Sequence, residues 1–465
     1  ERMYWAMEDS MLFDFSTSPM QVTKTSKIHG QGFSTQYYIG TFLESSVTMS
    51  DDQGNLLFYT NGTEIWDRNH NLMPNGQGIM GHYSTSQGVL AFPDPGNSDV
   101  YYLFTLDAAE NRHRNGLRYT KIDMRLRNGL GDVMTTAKNV PIMITNYEFM
   151  HGVYHSNGRD VWVTVSKRPT NTWNGDIVSI LVNPQGVQPN PVTTPVIING
   201  SPAPPNFQKF SHDGNWLFCG NNLFHFDRQT GIPRHFMSFS IPGFFWSGSV
   251  EFSPDQSKLY IPTVARATNT GGLHQYDLSS GIPATILASG VIIQSHSSGQ
   301  FYNSGKIEIG RDRRLYTVNS GTQHMHVIHQ PDLPGLACDF RFNDLDFRGI
   351  NTWKRLGMLS FVRGKVGSST FSLDVGDLAP CPGGNVKVWP IDPQGVYEIT
   401  YEVLDPANSQ QRLGDTLLVV PSQDGPLGIA AEYRNACGIQ HDGKQAFNFL
   451  FTGAGEDADG QCILG

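Results

Sequence analysis

"FSPDQSKLYIP" (252–262) is the stretch on which the fold turns: a short apolar run, a polar turn around Asp255, and a second run of alternating apolar residues. The same phrase stands at "MSDDQGNLLFYT" (49–60), "FSHDGNWLFCG" (210–220) and "IGRDRRLYTV" (309–318). With altered turns it stands again at "LAFPDPGNSDVYYLFTL" (90–106) and "GVYHSNGRDVWVTVS" (152–166). From Asp52 to Asp312 there are 260 residues in five intervals, about 52 each. That period belongs to four-stranded propeller blades rather than to helical solenoids.

A second phrase follows each hairpin, an apolar strand, then Asp or Asn, then a turn closing on Gly: "ILVNPQG", "FHFDRQTG", "HQYDLSSG" and their like. Asp and Asn bond the local backbone in tight turns, and Gly accepts positive φ there. Six units thus share one order of four strands. Strand-like pieces at 1–45 and 343–362 are expected to form a seventh blade shared by the two ends, which leaves no sheet edge open in the ring. The expected fold is an all-β, seven-bladed β-propeller over residues 1–365, with six or eight blades as the alternatives.

Composition agrees. The chain has 465 residues, 49 of them Gly and 27 Pro, with 11% aromatic and only 16% charged residues, and no segment carries sustained helical periodicity. A net charge of −9 without a basic stripe argues against a nucleic-acid partner. No apolar run approaches the roughly 20 residues of a membrane helix. The sequence begins at Glu1, which fits a processed secreted protein or a trimmed chain.

After about residue 366 the phrase stops, and short alternating strands with turns run to 453. These are expected to form an Ig-like or PKD-like β-sandwich, with 454–465 a linker into a missing segment. Cys381 and Cys437 lie 56 residues apart, each beside a strand. A disulfide between the sheets of a sandwich is the reading preferred over two unrelated thiols.

"DFSTSP" (14–19), "SDDQGNLLFYTNGTEIWDRNHNLMPNGQGIMGH" (50–82) and "GLRYTKIDMRLRNGLGDV" (116–133) resemble the N-terminal propeller of large Bacteroidota surface proteins. Those are exported by the type IX secretion system and often end in a gliding-motility-associated C-terminal sorting domain. The resemblance covers roughly residues 5–365, and the segment after it is similar to the Ig-like or PKD-like modules that string such proteins together. It implies export to the cell surface, contact with the secretion machinery, and no catalytic residue to carry over. Under it, "DSM" (9–11) and "DTL" (415–417) match an O-glycosylation pattern and point to Ser10 and Thr416. Asn61 and Asn199 open sequons that matter only in a eukaryotic secretory pathway.

The motifs that suggest chemistry each have a plainer reading. "SHDGNWLF" (211–218) approaches the Asp box of sialidase propellers, but Gly214 directly follows Asp213 and the register is wrong. In "HMHVIH" (324–329), His324 and His326 share one face of a strand and His329 takes the other, which is short of a metal site. "EDADG" (456–460) could offer oxygens to calcium, yet it is too short for a binding loop. No metal or cofactor is expected. Catalytic carboxylates drawn from different blades would be hidden from spacing arguments.

Blade geometry separates two rims. The turns after first and third strands are stereotyped (HDGN, PDQS, RQTG, SSG), whereas the loops after second strands and the crossovers vary in length and carry aromatics. Variable loops on a rigid scaffold are where binding resides. Tyr83, Phe245, Trp246 and Tyr302 are the candidates for the channel mouth, with Arg112, Arg168 and Trp173 farther out. For Phe245 and Trp246 the competing reading is plain packing between blades. An aromatic and polar rim suits a glycan or a partner protein. The expectation is a non-enzymatic secreted or cell-surface adhesion module, with neighbouring copies in a surface assembly as further partners. The alternatives are a carbohydrate-active hydrolase and a structural subunit of a surface filament.

Overall fold

The computed structural model describes residues 4–7, 11–15, 20–24, 45–51, 54–145, 147–168, 175–198, 201–202, 207–239, 249–265, 270–296, 306–318, 323–348, 358–359 and 361–364, together with seven strands beyond residue 372. The chain divides into two units, Glu1–Gly364 and Lys365–Gly465.

The first unit is an all-β propeller, and each of the six repeated phrases is the start of one blade. Blade 1 is Ser45–Ser50, Leu56–Thr60, Glu64–Asp67 and Leu72–Gln77; blade 2 is Val89–Asp94, Asn97–Leu106, Leu117–Asp123 and Asp132–Val133, with Val140–Met143 added. Blade 3 is Met150–Tyr154, Val161–Lys167, Asp176–Asn183 and Gly186–Val187, with Val192–Pro195 added. Blade 4 is Gln208–Phe210, Trp216–Cys219, Asn222–Asp227 and Ile232–Ser238. Blade 5 is Glu251–Phe252, Lys258–Ala265, Thr270–Asp277 and Val291–His296; blade 6 is Ile307–Ile309, Leu315–Val318, His324–Ile328 and Phe340–Asp346. Pairing within every blade is antiparallel.

The turn aspartates are what make the phrase recur. In blade 4 the Ser211 hydroxyl donates to Asp213 Oδ1 (2.5 Å), which also accepts the Asn215 amide (3.0 Å), while Ser211 Oγ accepts the Trp216 amide (3.0 Å). Blade 5 repeats this with Ser253, Asp255, Ser257 and Lys258 at 2.6, 2.9 and 2.8 Å. Asp51 ties the corresponding turn of blade 1 by accepting the Asn55 amide at 2.7 Å. A short side chain that satisfies two or three turn amides fixes the hairpin locally.

Strand alternation then sends apolar residues into the blade-to-blade interfaces. Met49, Phe58, Val89 and Leu103 fill the space between blades 1 and 2, Phe92, Phe104, Val163 and Ile180 that between 2 and 3, and Phe210, Phe226 and Trp162 that between 3 and 4. Phe218, Phe252 and Tyr276 lie between 4 and 5, and Tyr260, Ile307 and Leu315 between 5 and 6.

Six blades are present among the described residues, where seven were expected. The amino-terminal end forms a three-stranded sheet, Tyr4–Met7, Met11–Asp14 and Gln21–Lys24, whose Phe13 and Phe15 pack on Tyr316, Met325 and Val327 of blade 6. Among the described residues the carboxyl end of the unit adds no strand to that sheet. Met358–Leu359 instead pairs in parallel with the first strand of blade 1, because the chain beyond it enters the ring.

In the second unit, Leu373–Val375, Val386–Pro390, Thr416–Val420 and Ser409–Leu413 form one antiparallel sheet, and Val396–Val403, Gly425–Asn435 and Gln440–Phe449 form another. Thr416 begins a strand. Cys381, Cys437 and the 454–465 tail lie outside the described residues. Cys219 and Cys338 are both buried in the propeller.

Candidate functional site

The first strands of the blades lie beside one another about the propeller axis, and three of them carry a lone charge between uncharged neighbours. Lys209 stands in Gln208–Phe210, Glu251 between Val250 and Phe252, and Glu308 between Ile307 and Ile309. The flanking residues serve the blade interfaces, so the period of two turns each charge the other way. Into this centre runs the strap that ends the unit, Phe361 to Gly364. Phe361 joins the cluster around Phe13, Val362 joins the cluster between blades 2 and 3, and Arg363 is fully buried.

Arg363 binds three blades at once. Its Nη2 donates to Glu251 Oε2 (2.9 Å) and Glu308 Oε1 (2.5 Å), and its Nη1 to His212 Nδ1 (2.5 Å). Lys209 Nζ reaches Glu308 Oε2 at 2.5 Å and Glu251 Oε2 at 2.8 Å. Backbone amides donate to the carboxylates as well, Phe252 to Glu251 Oε1 and Ile309 to Glu308 Oε1. Two acids and two bases thus cancel, and every carboxylate oxygen has a donor. A buried ionic group tolerates its desolvation only under close pairing of this kind, and among the described residues only the Arg363 Nε in this cluster is left without an acceptor. Since guanidinium can only donate, His212 Nδ1 accepts, and its Nε2 carries the proton that faces the Phe252 carbonyl at 3.2 Å.

The field of this cluster acts on its neighbours. Burial pushes the Glu251 carboxyl up from its ordinary range, while Arg363 and Lys209 oppose the rise. His151, in the first strand of blade 3, is held well below the ordinary imidazole range by burial and then by the positive charges of Lys209 and Arg363. It accepts the Gly152 amide at Nδ1 (3.0 Å) and stays neutral.

The strap is clasped where it leaves the ring. Arg363 and Val153 form a parallel bridge, the Tyr154 amide donates to the Arg363 carbonyl (2.8 Å), and the Gly364 amide donates to the His212 carbonyl (2.9 Å). Arg228 closes over it, donating to the carbonyls of Tyr154 (2.8 Å), Asp213 (2.7 Å) and Gly364 (2.6 Å). Gly364 has φ +71 and lies in the crevice by Asp213 and Val153, where a Cβ would sit 3.1 Å from both the Asp213 carbonyl and Val153. Only glycine fits there without strain.

The variable rim shows a second group. Tyr83 stacks on His82 with ring centroids 4.4 Å apart. Ser84 donates to Glu110 (2.7 Å), which ties this crossover to the 107–116 loop that carries exposed Arg112. Asp107, fully buried, shapes the loop by accepting the amides of Ala108 (3.0 Å) and Asn115 (2.7 Å). Glu148 accepts the Ala109 amide (2.7 Å) and links the loop to the next crossover. There the Tyr147 hydroxyl meets Arg168, and its pKa is raised by burial against the opposing charge of that arginine. Tyr83, Arg112 and Arg168 therefore lie on consecutive loops joined by hydrogen bonds. Trp173, Phe245, Trp246, Tyr302 and Ser10 fall outside the described residues.

Other motifs resolve into structure. His326 accepts the Asn343 amide (2.9 Å) and stacks on Phe342, His329 bonds Asp344 (2.7 Å), and His324 lies 3.5 Å from Asp346. Among the described residues no group of three or more His, Cys, Asp or Glu is arranged to hold a metal. Asn61 is buried and caps Thr63 and Glu64 through its Oδ1, so its sequon is spent on a turn. The charged centre went unnoticed in the sequence. Its trace was there, one charge inside each of the short otherwise uncharged runs "QKF", "VEF", "IEI" and "FVRG".

No family model matches the sequence, and no curated protein does. Among solved structures, the chain is similar to a periplasmic gluconolactonase of Pseudomonas aeruginosa, at 13% identity over 75% of this chain and 96% of that one, with a TM-score of 0.34. It is also similar to the extracellular domain of a one-component system of B. thetaiotaomicron, at 11% identity over 97% of this chain, with a TM-score of 0.36; it spans 62% of that chain's length. An oligogalacturonate lyase of Vibrio parahaemolyticus matches at 10% identity over 65% of this chain and 77% of that one, with a TM-score of 0.31. Enzymes and an extracellular domain stand side by side in this set, and nothing about the chemistry of the present chain follows from them. No helix among the described residues is long and apolar enough to cross a membrane.

Proposed function

We propose that the chain is a non-catalytic extracellular or cell-surface binding module that presents the variable rim of its propeller to a glycan or a partner protein. One observation carries the reading: the crossovers and loops bearing Tyr83, Arg112, Tyr147 and Arg168 are braced to one another by Ser84–Glu110 and Ala109–Glu148, so an aromatic and charged surface is held in place without a ligand. Preorganised aromatic and arginine side chains are the usual anchors of recognition. Glu251 and Glu308, carboxylates from two different blades, are enclosed and neutralised by the chain's own Arg363 and Lys209, so this pair does not serve the hydrolase alternative, which needs carboxylates at the channel mouth.

In the finer form of this reading the amino-terminal sheet counts as an incomplete seventh blade, which the Phe13 and Phe15 packing supports. The second unit is an Ig-like spacer, supported by its two antiparallel sheets of four and three strands. Export by the type IX route, with a place in adhesion or gliding motility, comes with the sequence resemblance. The filament-subunit alternative makes that second unit a packing partner for a neighbouring propeller.

The test is a glycan array followed by titration calorimetry. A double substitution, Tyr83→Ala with Arg112→Ala, is expected to weaken the captured ligand by roughly tenfold or more while the melting temperature stays put. Turnover of a polysaccharide that is abolished by changing one carboxylate would overturn the proposal.

A further inference from the structure

Four exposed arginines of the ring are each neutralised by an aspartate close by in the sequence. Arg125 pairs with Asp123, Arg341 with Asp339 and Arg348 with Asp346, each two residues back, at 2.7, 2.8 and 2.6 Å; Arg159 pairs with its neighbour Asp160 at 2.8 Å. Arg112 has an acid at the same two-residue spacing, Glu110, yet the two form no ion pair. Glu110 accepts the Ser84 hydroxyl instead (2.7 Å). The other acids of these loops are also committed, Asp107 to the amides of Ala108 and Asn115, and Glu148 to the amide of Ala109. Arg112 and Arg114 are exposed, and among the described residues neither guanidinium has an ion pair or a hydrogen bond.

The backbone beneath these two arginines is held in a costly shape. Arg112 and His113 are successive non-glycine residues in the left-handed region, at φ +57 and +53, and such residues persist only where their surroundings fix them. Asp107 supplies that constraint: its carboxylate also accepts the Asn111 side-chain amide (2.8 Å), and its carbonyl accepts His113 Nδ1 (3.1 Å). A comparable left-handed pair, Arg127 and Asn128, anchors its guanidinium on Asp67 at 3.1 Å; Arg112 has no such anchor. Arg168, on the next loop of the braced set, adds a third guanidinium beside the Tyr147 hydroxyl. Toward the axis the same crossover is already paired within the chain. Gln87 exchanges hydrogen bonds with Gln208 of blade 4 (2.8 and 3.0 Å), and the Ser86 carbonyl accepts Lys306 Nζ (2.6 Å).

We infer that the rim at blades 2 and 3 binds an acidic polysaccharide, with its carboxylate or sulfate groups on Arg112, Arg114 and Arg168 and a sugar face on Tyr83. The inference rests on the rim reading above and names the ligand class. Guanidinium forks match planar or tetrahedral oxyanions with paired N–H donors. The ring of Tyr83, stacked on His82, adds a flat apolar face with a polar tip. Single charges on separate loop positions beside aromatic rings suit an anion whose charges are spaced along a chain of rings. A formal −9 without a basic stripe repels a nucleic acid duplex, and it confines a polyanion to the one place where acids are turned away.

Titration calorimetry of the full chain with alginate, dextran sulfate, neutral dextran and polyglutamate tests it. Alginate or dextran sulfate is expected to bind, the tighter of the two assigning carboxylate or sulfate, and to weaken roughly tenfold between about 50 mM and 300 mM salt. Arg112→Gln with Arg114→Gln is expected to cost about tenfold or more. Glu110→Gln keeps an acceptor for Ser84 and removes an acid, so it is expected to tighten binding by about threefold. Arg159→Gln, which removes an exposed arginine elsewhere on blade 3, is expected to change nothing. Thermal melts establish that each variant is folded. Failure of both polyanions to bind at low salt overturns the inference, as does equal binding by the double variant or tighter binding of polyglutamate. A neutral glycan held at Tyr83 and indifferent to salt overturns it too, while leaving the rim reading in place.

Discussion

Asp255 does more than tie its own turn. Its backbone amide donates to Asp332 Oδ1 (2.9 Å), which brings a second carboxyl from blade 6 against the first, with Arg313 3.7 Å away. Burial, and then the nearness of Asp255, push the Asp332 carboxyl up to about 7 against the attraction of Arg313. The folded state therefore holds a proton that the unfolded chain has released. This stabilises the fold fully below the unfolded value near 4 and is lost as pH rises toward 7. Asp332→Asn keeps the acceptor for Asp255 and removes the titration. Relative to wild type, the variant is expected to gain about 4 kcal/mol between pH 4 and pH 8, read as a growing difference in melting temperature. Parallel curves for the two proteins would refute it.

At the scale of the element, the strap Phe361 to Gly364 is held by one residue more than by any other. Arg363→Ala leaves Glu251 and Glu308 facing Lys209 alone, and breaking a buried ionic network from one side costs about 3–5 kcal/mol. A denaturant titration is expected to show that loss. Arg363→Met with Glu251→Gln, which removes one charge of each sign, is expected to recover much of it. The strap also shows why one part of the molecule was readable in the sequence and another was not. Ser211, Asp213 and Asn215 act within a few residues of one another, so the turn phrase and the blade count of its repeats can be read directly. Arg363 finds Glu308, Glu251 and His212 at separations of 55, 112 and 151 residues, and no local spacing announces a meeting that only closure of the ring creates. Whether the two ends share a seventh blade is hidden from the sequence for the same reason. The segment around 358 looks like any other strand, and only its partner, the first strand of blade 1, reveals that it is bound for the axis. Of the rim residues, Tyr83, Arg112 and Arg168 could be placed on variable loops from the order of strands, whereas the Ser84–Glu110 and Ala109–Glu148 ties between those loops could not.

For the molecule as a whole, five successive apolar interfaces can form as each blade arrives, since each joins neighbours in the sequence. Closure is different in kind. The amino-terminal sheet reaches blade 6, Met358–Leu359 pairs with blade 1, and the strap after it reaches blades 3, 4, 5 and 6. A propeller chain ending at Leu359 is expected to unfold at lower denaturant and over a broader range than one ending at Gly364, as followed by tryptophan fluorescence; equal midpoints would show the strap to be dispensable.

Seen from the ribosome, the buried position of Arg363 sets an order of events. The two glutamates and Lys209 are synthesised 55 residues or more before the cation that completes their neutrality. Until it emerges, the growing chain carries an unbalanced acid pair at its centre and has reason to stay open to water. The final four residues of the unit act as a completion signal, and the ring commits to its native state only once the whole propeller has been made.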